Sequence, residues 1–193
     1  MALNRMRFMN SYIDNVTKEE AIAHIEECIN TRKIGHIITP NVDQVIRIES
    51  DKYFKEIYEN AELLLADGTP LVWISRWYKK PIKEKICGSD LVPDLCKLAA
   101  QKGYLIFLLG SAEGVAAKAA ENLKKNNPGL RVAGVYSPPY GFEKDKNEID
   151  KINKMLFNSK ADMLFVGMGV PKQDIFIYEI HNKADKFCAW SAA

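Results

Sequence analysis

The sequence predicts an α/β fold: a single Rossmann-like domain with a mainly parallel sheet and helices on both faces. Three observations carry this reading. Short apolar runs alternate with amphipathic stretches, the pattern of successive βαβ units. Runs such as 105–109 (LIFLL) and Met163–Gly167 (MLFVG) are hydrophobic without alternation, as strands covered on both faces are. The length, 193 residues, suits one domain, and a chain of that size buries roughly 70% of its unfolded surface.

Each element has a local reason. A short strand or hairpin is expected around 7–13. Thr17 and Glu20 then form a T-x-x-E capping box, followed by Ala21, Ile22, Ile25 and Ile29 on one helical face. Strand 36–39 leads to a helix beginning near Val42, and strand 62–66 to an amphipathic stretch holding Leu71, Val72, Trp73, Ile74, Trp77 and Tyr78. Gly88-Ser89-Asp90 opens a helix with Leu91, Val92, Leu95 and Leu98 inward and Gly103 at its end. After strand 105–109, Ser111 is read as the cap of a helix whose inner stripe is Val115, Ala116, Ala119 and Leu123, stopped by Pro128-Gly129. Strand Arg131–Tyr136 precedes a helix over 143–157, with Ile149, Ile152, Met155 and Leu156 at helical spacing. Strand Met163–Gly167 precedes Pro171, which suits the first turn of a helix running through Ile175, Phe176 and Ile180. A last strand falls at 187–190. No repeat, low-complexity tract or linker divides the chain, so 1–193 reads as one domain.

Composition narrows the class. Hydrophobic residues make up 47% and charged residues 27%, too balanced for disorder. The net charge of +2 excludes a general polyanion-binding surface, and no nucleic-acid partner is expected. Cys28, Cys87, Cys96 and Cys188 form no C-x-x-C and no zinc pattern, so a reduced, cytosolic protein with buried thiols is expected. Asn4, Arg5, Arg7 and Asn10 interrupt the opening segment, which is therefore not read as a signal peptide. No apolar run approaches the ~20 residues that span a bilayer.

In an open parallel sheet, ligands bind beyond the carboxyl ends of the strands. Four loops belong there: Thr39-Pro40-Asn41, Ala66-Asp67-Gly68-Thr69-Pro70, Gly110-Ser111-Ala112-Glu113-Gly114 and the run from Gly167 to Asp174. Singly, each has a plain reading: Asp-Gly is a common turn, Thr39 or Asn41 caps a helix, and Gly110 and Gly114 permit tight packing. Together they bring a carboxylate, a hydroxyl, two amides and two helix N-termini to one edge, and such N-termini hold phosphate. Gly110, Ser111, Tyr140, Gly141 and Gly169 are thus substrate-binding candidates, the tyrosine from a Pro- and aromatic-rich loop that suits one wall of a base or sugar pocket. Gly167-x-Gly169 fails as a dinucleotide fingerprint because Lys172 occupies the third glycine position. There is no Asp-x-Asp and no Walker motif, so a diphosphate would be neutralised by helix ends and Lys, with no metal and no cofactor. The segment from Arg76 to Lys85 holds five positive charges against one negative beside Trp77 and Tyr78. It reads either as a solvated helix end or as a patch for a phosphorylated or membrane-surface ligand, with Lys83 and Lys85 as the contacts.

Taken in order, Thr39-Pro40-Asn41, Ala66-Asp67-Gly68-Thr69-Pro70, Gly88-Ser89-Asp90-Leu91, Leu108-Leu109-Gly110-Ser111, Pro128-Gly129-Leu130, Pro138-Pro139-Tyr140-Gly141-Phe142 and Gly167-Met168-Gly169-Val170-Pro171-Lys172-Gln173-Asp174 resemble the TagA/WecG/CpsF family of bacterial glycosyltransferases. The resemblance implies transfer of N-acetylmannosamine, or a related sugar, from a UDP-sugar to a lipid-linked acceptor. The best-known acceptor is undecaprenyl-diphosphate-N-acetylglucosamine, used for wall teichoic acid and other surface glycans. It makes Asp67 the general base and puts Thr39, Asn41 and Gln173 in the sugar and diphosphate pocket. Lys85 stands where relatives often carry Arg, keeping the charge without the bidentate fork. Asp174 stands where Glu is usual. Relatives continue past the strand near Phe187 into a Gly-rich loop and a basic, apolar appendage thought to touch the membrane. Cys188-Ala189-Trp190-Ser191-Ala192-Ala193 does not resemble that loop, so a domain lacking the appendage is expected.

The expectation is a metal-independent, inverting transferase, cytoplasmic and peripheral at the inner face of the cell membrane, its oligomeric state left open, a homo-oligomer included. Two rivals share the fold: an NAD(P)-dependent oxidoreductase, disfavoured by the failed fingerprint, and a non-catalytic nucleotide-binding module.

Overall fold

The structure, a computed structural model, describes residues 3–33, 35–181 and, as backbone, 188–191. A β-hairpin comes first: β1 (Arg5–Phe8) pairs antiparallel with β2 (Ser11–Asp14). The remaining strands, β3 (Gly35–Ile38), β4 (Leu63–Leu64), β5 (Leu105–Gly110), β6 (Arg131–Tyr136), β7 (Met163–Gly167) and β8 (Cys188–Ser191), make one six-stranded sheet in the order β4-β3-β8-β7-β5-β6. Every pairing in it is parallel. The short apolar run at the end of the chain thus supplies an inner strand between β3 and β7, although Phe187 lies outside the described residues.

Alternate side chains of each strand face opposite layers. On one face, Ile37, Leu63, Ile106, Leu108, Met163 and Phe165 pack under α1 (Lys18–Asn30), α5 (Gly88–Lys102) and α6 (Val115–Asn126). On the other, Phe107, Leu109, Leu164 and Val166 meet α7 (Lys146–Ser159) and α8 (Lys172–His181). Ile38 and Leu64 meet α2 (Val42–Ser50) and α3 (Lys52–Glu59) on that same side. The hairpin's Phe8 and Ile13 close a fourth cluster with Leu71 of α4 (Thr69–Trp77). The double layering expected from LIFLL and MLFVG is therefore the observed core.

Local signals gave the elements with some displacements. The Thr17–Glu20 capping box is formed. Ser111, however, does not cap α6: its φ is +62°, and the helix starts only at Val115, after Gly114 in the left-handed region. Of the expected inner stripe, Ala116 and Leu123 pack inward, Ala120 takes the place of the exposed Ala119, and Val115 is 52% exposed. The helix expected over 143–157 is a 3₁₀ turn (Phe142–Lys144) followed by α7, whose cap is Asp145. Pro171 does not enter the first turn of α8 but precedes it, its carbonyl accepting the Ile175 N–H at 3.1 Å.

Candidate active site

The loops after β3, β4, β5, β6 and β7 all leave the carboxyl edge of the sheet. The chain after β5 turns to the α6 face, whereas the chain after its neighbour β7 turns to the opposite, α8 face. That divergence opens a crevice, the topological switch point at which doubly wound sheets bind ligands. A cleft of about 940 Å³ lies there, lined by the loops after β5, β6 and β7. Its floor depends on close backbone approach. A Cβ on Gly110 would sit 2.4 Å from the Gly167 carbonyl oxygen, and the Ser111 N–H donates to that same oxygen at 2.6 Å. Ser137 Oγ donates to the Gly110 carbonyl at 3.1 Å, joining the β6 loop to the β5 loop.

The cleft offers several handles for a nucleotide diphosphate. The N-terminus of α6 opens from it with no side-chain cap; the Val115 N–H donates to the Ala112 carbonyl at 3.1 Å, and the Ala116 and Ala117 N–H groups are left for an anion. Lys172 lines the cleft, its Nζ 5.3 Å from the centroid of the exposed Tyr140 ring and 3.2 Å from Glu143. Glu113, also in the lining, is exposed and of the opposite sign. Gln173 is buried, and its Oε1 accepts the N–H groups of Met168 and Gly169 at 3.3 and 3.0 Å, so the side chain fixes the loop. Gly169, at φ +77°, makes that wrap possible. Gly141, at φ +83°, begins the 3₁₀ turn that carries Phe142 into the core.

The other half of the edge holds the carboxylate. The Asp67 N–H donates to the Pro40 carbonyl at 2.9 Å, and the Ile86 N–H to the Ala66 carbonyl at 2.9 Å. These bonds draw the β3, β4 and 85–87 segments together. Asp67 is half-buried, and Gly68, at φ +116°, starts α4 immediately behind it. Burial first, and then contact with the Asp67 carboxylate, push the Cys87 thiol above its usual range, while Lys85 acts the other way. Asp67, Cys87 and Lys85 thus form one cluster. Thr39 is buried beside it, and its Oγ1 has no hydrogen-bond partner among the described residues. Asn41 is the N-cap of α2 in a reciprocal box with Gln44. Lys83 lies apart from these groups, paired with Glu20 of α1 at 2.9 Å.

Two features escaped the sequence reading. Asp174 is fully buried, accepts the Tyr58 hydroxyl at 3.1 Å and lies 4.0 Å from His36 Nε2, tying α8 to α3 and β3 beneath the site. Its partners are far apart in sequence, so no local signal announced it. At the opposite edge of the sheet, His24 Nε2 meets Glu62 Oε1 at 2.7 Å, with Cys28 Sγ 3.7 Å from that nitrogen. The i, i+4 spacing of His24 and Cys28 on α1 was the available sign. Their atoms and the Glu62 carboxylate lie within 4.8 Å of one another, as a metal site would need, but Lys33 Nζ already holds the same Glu62 oxygen at 2.8 Å.

The sequence signature of the Glycosyl transferase WecG/TagA/CpsF family matches residues 6–192. The chain belongs to this family. Curated WecG/TagA/CpsF-type relatives named N-acetylglucosaminyldiphosphoundecaprenol N-acetyl-beta-D-mannosaminyltransferase include one from Bacillus spizizenii, 31% identical over 182 residues, which are 93% of this chain and 66% of the relative. Another, from Bacillus subtilis, is 27% identical over 83% of this chain and 61% of its own length. A third, from Staphylococcus aureus, is 28% identical over 88% and 65%. The chain therefore spans slightly less than two thirds of the length of these relatives. Among the described residues, no helix is long and apolar enough to cross a membrane.

Proposed function

We propose that this family member transfers N-acetylmannosamine, or a closely related sugar, from a UDP-sugar to a polyprenyl-diphosphate-linked N-acetylglucosamine, working in the cytoplasm at the inner face of the membrane. The transferred sugar and the acceptor class follow the names of the curated relatives, and the UDP donor follows the family resemblance alone. The observation that carries the reading is Asp67, a half-buried carboxylate tethered to the β3 loop at the carboxyl edge of the same sheet as the switch-point cleft. In this reading Asp67 removes the proton of the acceptor hydroxyl as its oxygen attacks the anomeric carbon. The bond from that carbon to the diphosphate oxygen breaks, the configuration inverts, and UDP leaves. The growing charge on the diphosphate meets the α6 N-terminus and Lys172, which are aimed before the reaction starts. Thr39 and Asn41 lie on the Asp67 side, where the sugar would sit, and Gln173 shapes the intervening loop. Lys85 stands beside Asp67 as the cation for the acceptor diphosphate.

The test is direct. The protein is mixed with UDP-N-acetylmannosamine and a short-chain polyprenyl-diphosphate-N-acetylglucosamine. The reading expects UDP release matched by an acceptor one N-acetylhexosamine heavier. Release of free sugar without acceptor modification, or no UDP release with any UDP-N-acetylhexosamine, would overturn it.

A further inference from the structure

The outer face of α4 has no role in the site described above, yet it is unlike an ordinary solvated helix face. Trp73 and Trp77, four residues apart and so on one side of the helix, are 64% and 92% exposed. Leu71, two residues before Trp73, and Ser75, between the two indoles, are buried, so the helix is already anchored by its inner side. Tyr78, 60% exposed, extends the apolar strip to the hairpin, where its ring lies 6.2 Å from that of Phe8. Arg76, Lys79 and Lys80 stand around these rings, and no Asp or Glu occurs from Gly68 to Lys83. Lys80 Nζ reaches the carbonyl of Arg7, a fourth cation on the hairpin. Two exposed indoles and a phenol ringed by cations are what a bilayer headgroup region accommodates: the rings sit at the water–lipid boundary and the Lys and Arg stems extend to phosphates.

We propose that this face, Trp73, Trp77 and Tyr78 with Arg76, Lys79 and Lys80, docks the protein on an anionic lipid bilayer. The unbroken positive charge commits the partner to an anionic surface, and the aromatics commit it to one with an apolar layer beneath. The proposal deepens the lipid-linked acceptor reading, on which it rests for its purpose. Trp73 and Trp77 lie six and ten residues past Asp67, roughly 9 and 15 Å along a helix of 1.5 Å rise. With this outer face on the bilayer the helix axis runs along the surface, so Asp67, at the start of α4, would stand to the side of the anchoring indoles.

Vesicle sedimentation tests it without catalysis. Intact protein is mixed with phosphatidylglycerol vesicles and with phosphatidylcholine vesicles, beside Trp73→Ala/Trp77→Ala and Lys79→Glu/Lys80→Glu variants whose melting is checked first. Binding should favour the anionic vesicles at least tenfold and weaken with salt. Each double variant should lose tenfold or more in partitioning while melting like the parent, as expected for exposed side chains. Asp67→Asn should partition unchanged, so failure of the transferase reading leaves this result standing. Equal partitioning to both vesicles, or variants that bind like the parent, would overturn the proposal. So would a stable dimer that the tryptophan variant converts to monomer, because the face would then belong to a second copy.

Discussion

Gly110 shows how narrow the tolerance is where β5 and β7 diverge. Its φ of +113° disfavours any side chain, and a Cβ there would collide with the Gly167 carbonyl at 2.4 Å, a backbone atom that cannot swing away. Gly110→Ala should therefore cost about 2–4 kcal/mol, lowering Tm by on the order of 10 °C. It should also weaken UDP binding in protein that remains folded; a melt within a degree of the parent would contradict this geometry. Glu62 makes a different, pH-dependent prediction. Burial alone would raise its pKa, but the bonds from Lys33 and His24 outweigh burial and hold it below its usual value of 4.5. A carboxylate depressed in the native state contributes stability above about pH 4.5 and loses it as pH falls through the lower native value. Glu62→Gln should thus melt lower than the parent at pH 7, with the gap closing below about pH 4. A constant gap from pH 7 to pH 3 would rule this out. Neither role was legible beforehand, because Gly167 and Lys33 reach these residues only through the tertiary fold.

At the scale of elements, signals within one turn were readable and those needing a partner were not. Thr17 with Glu20, the glycine ending α5 and the unbroken apolar runs of β5 and β7 each carry their cause in adjacent residues. The start of α6 lies later than expected because Ser111 is a good capping residue in isolation, whereas here it sits at φ +62°, bonded to Gly167 across the sheet, away from the extended backbone a cap adopts. That shift matters chemically. With no side-chain cap and only the Val115 N–H taken, by the Ala112 carbonyl, α6 leaves its next amides, Ala116 and Ala117, for an anion, and Lys172 is the cation lining the cleft. UDP should therefore bind as tightly in EDTA as in Mg²⁺, and Lys172→Ala should weaken it roughly tenfold or more by calorimetry. Strict dependence on Mg²⁺, or unchanged affinity in the variant, would remove this account of diphosphate binding.

The whole molecule adds what no segment contains, namely the strand order. The sequence pattern implied a doubly wound sheet and a set of loops on its carboxyl edge. It did not reveal that the last described strand enters between β3 and β7. That insertion adds one strand to the row, so that Asp67, after β4, stands four strand spacings from β5 and its cleft, on the order of 19 Å at about 4.8 Å each. The loops expected to converge thus form two groups on one edge, and the account requires a donor whose nucleotide lies at the switch point and whose sugar reaches toward Asp67. One measurement separates that from two unrelated sites: kcat for transfer to the short-chain acceptor and Kd for UDP, compared between parent and Asp67→Asn. If the edge is one active site, kcat falls by roughly 10²–10⁴, the loss expected for a general base, while Kd for UDP stays within about twofold. Near-parental kcat, as a turn aspartate would tolerate, or equal losses in kcat and UDP affinity, would contradict it.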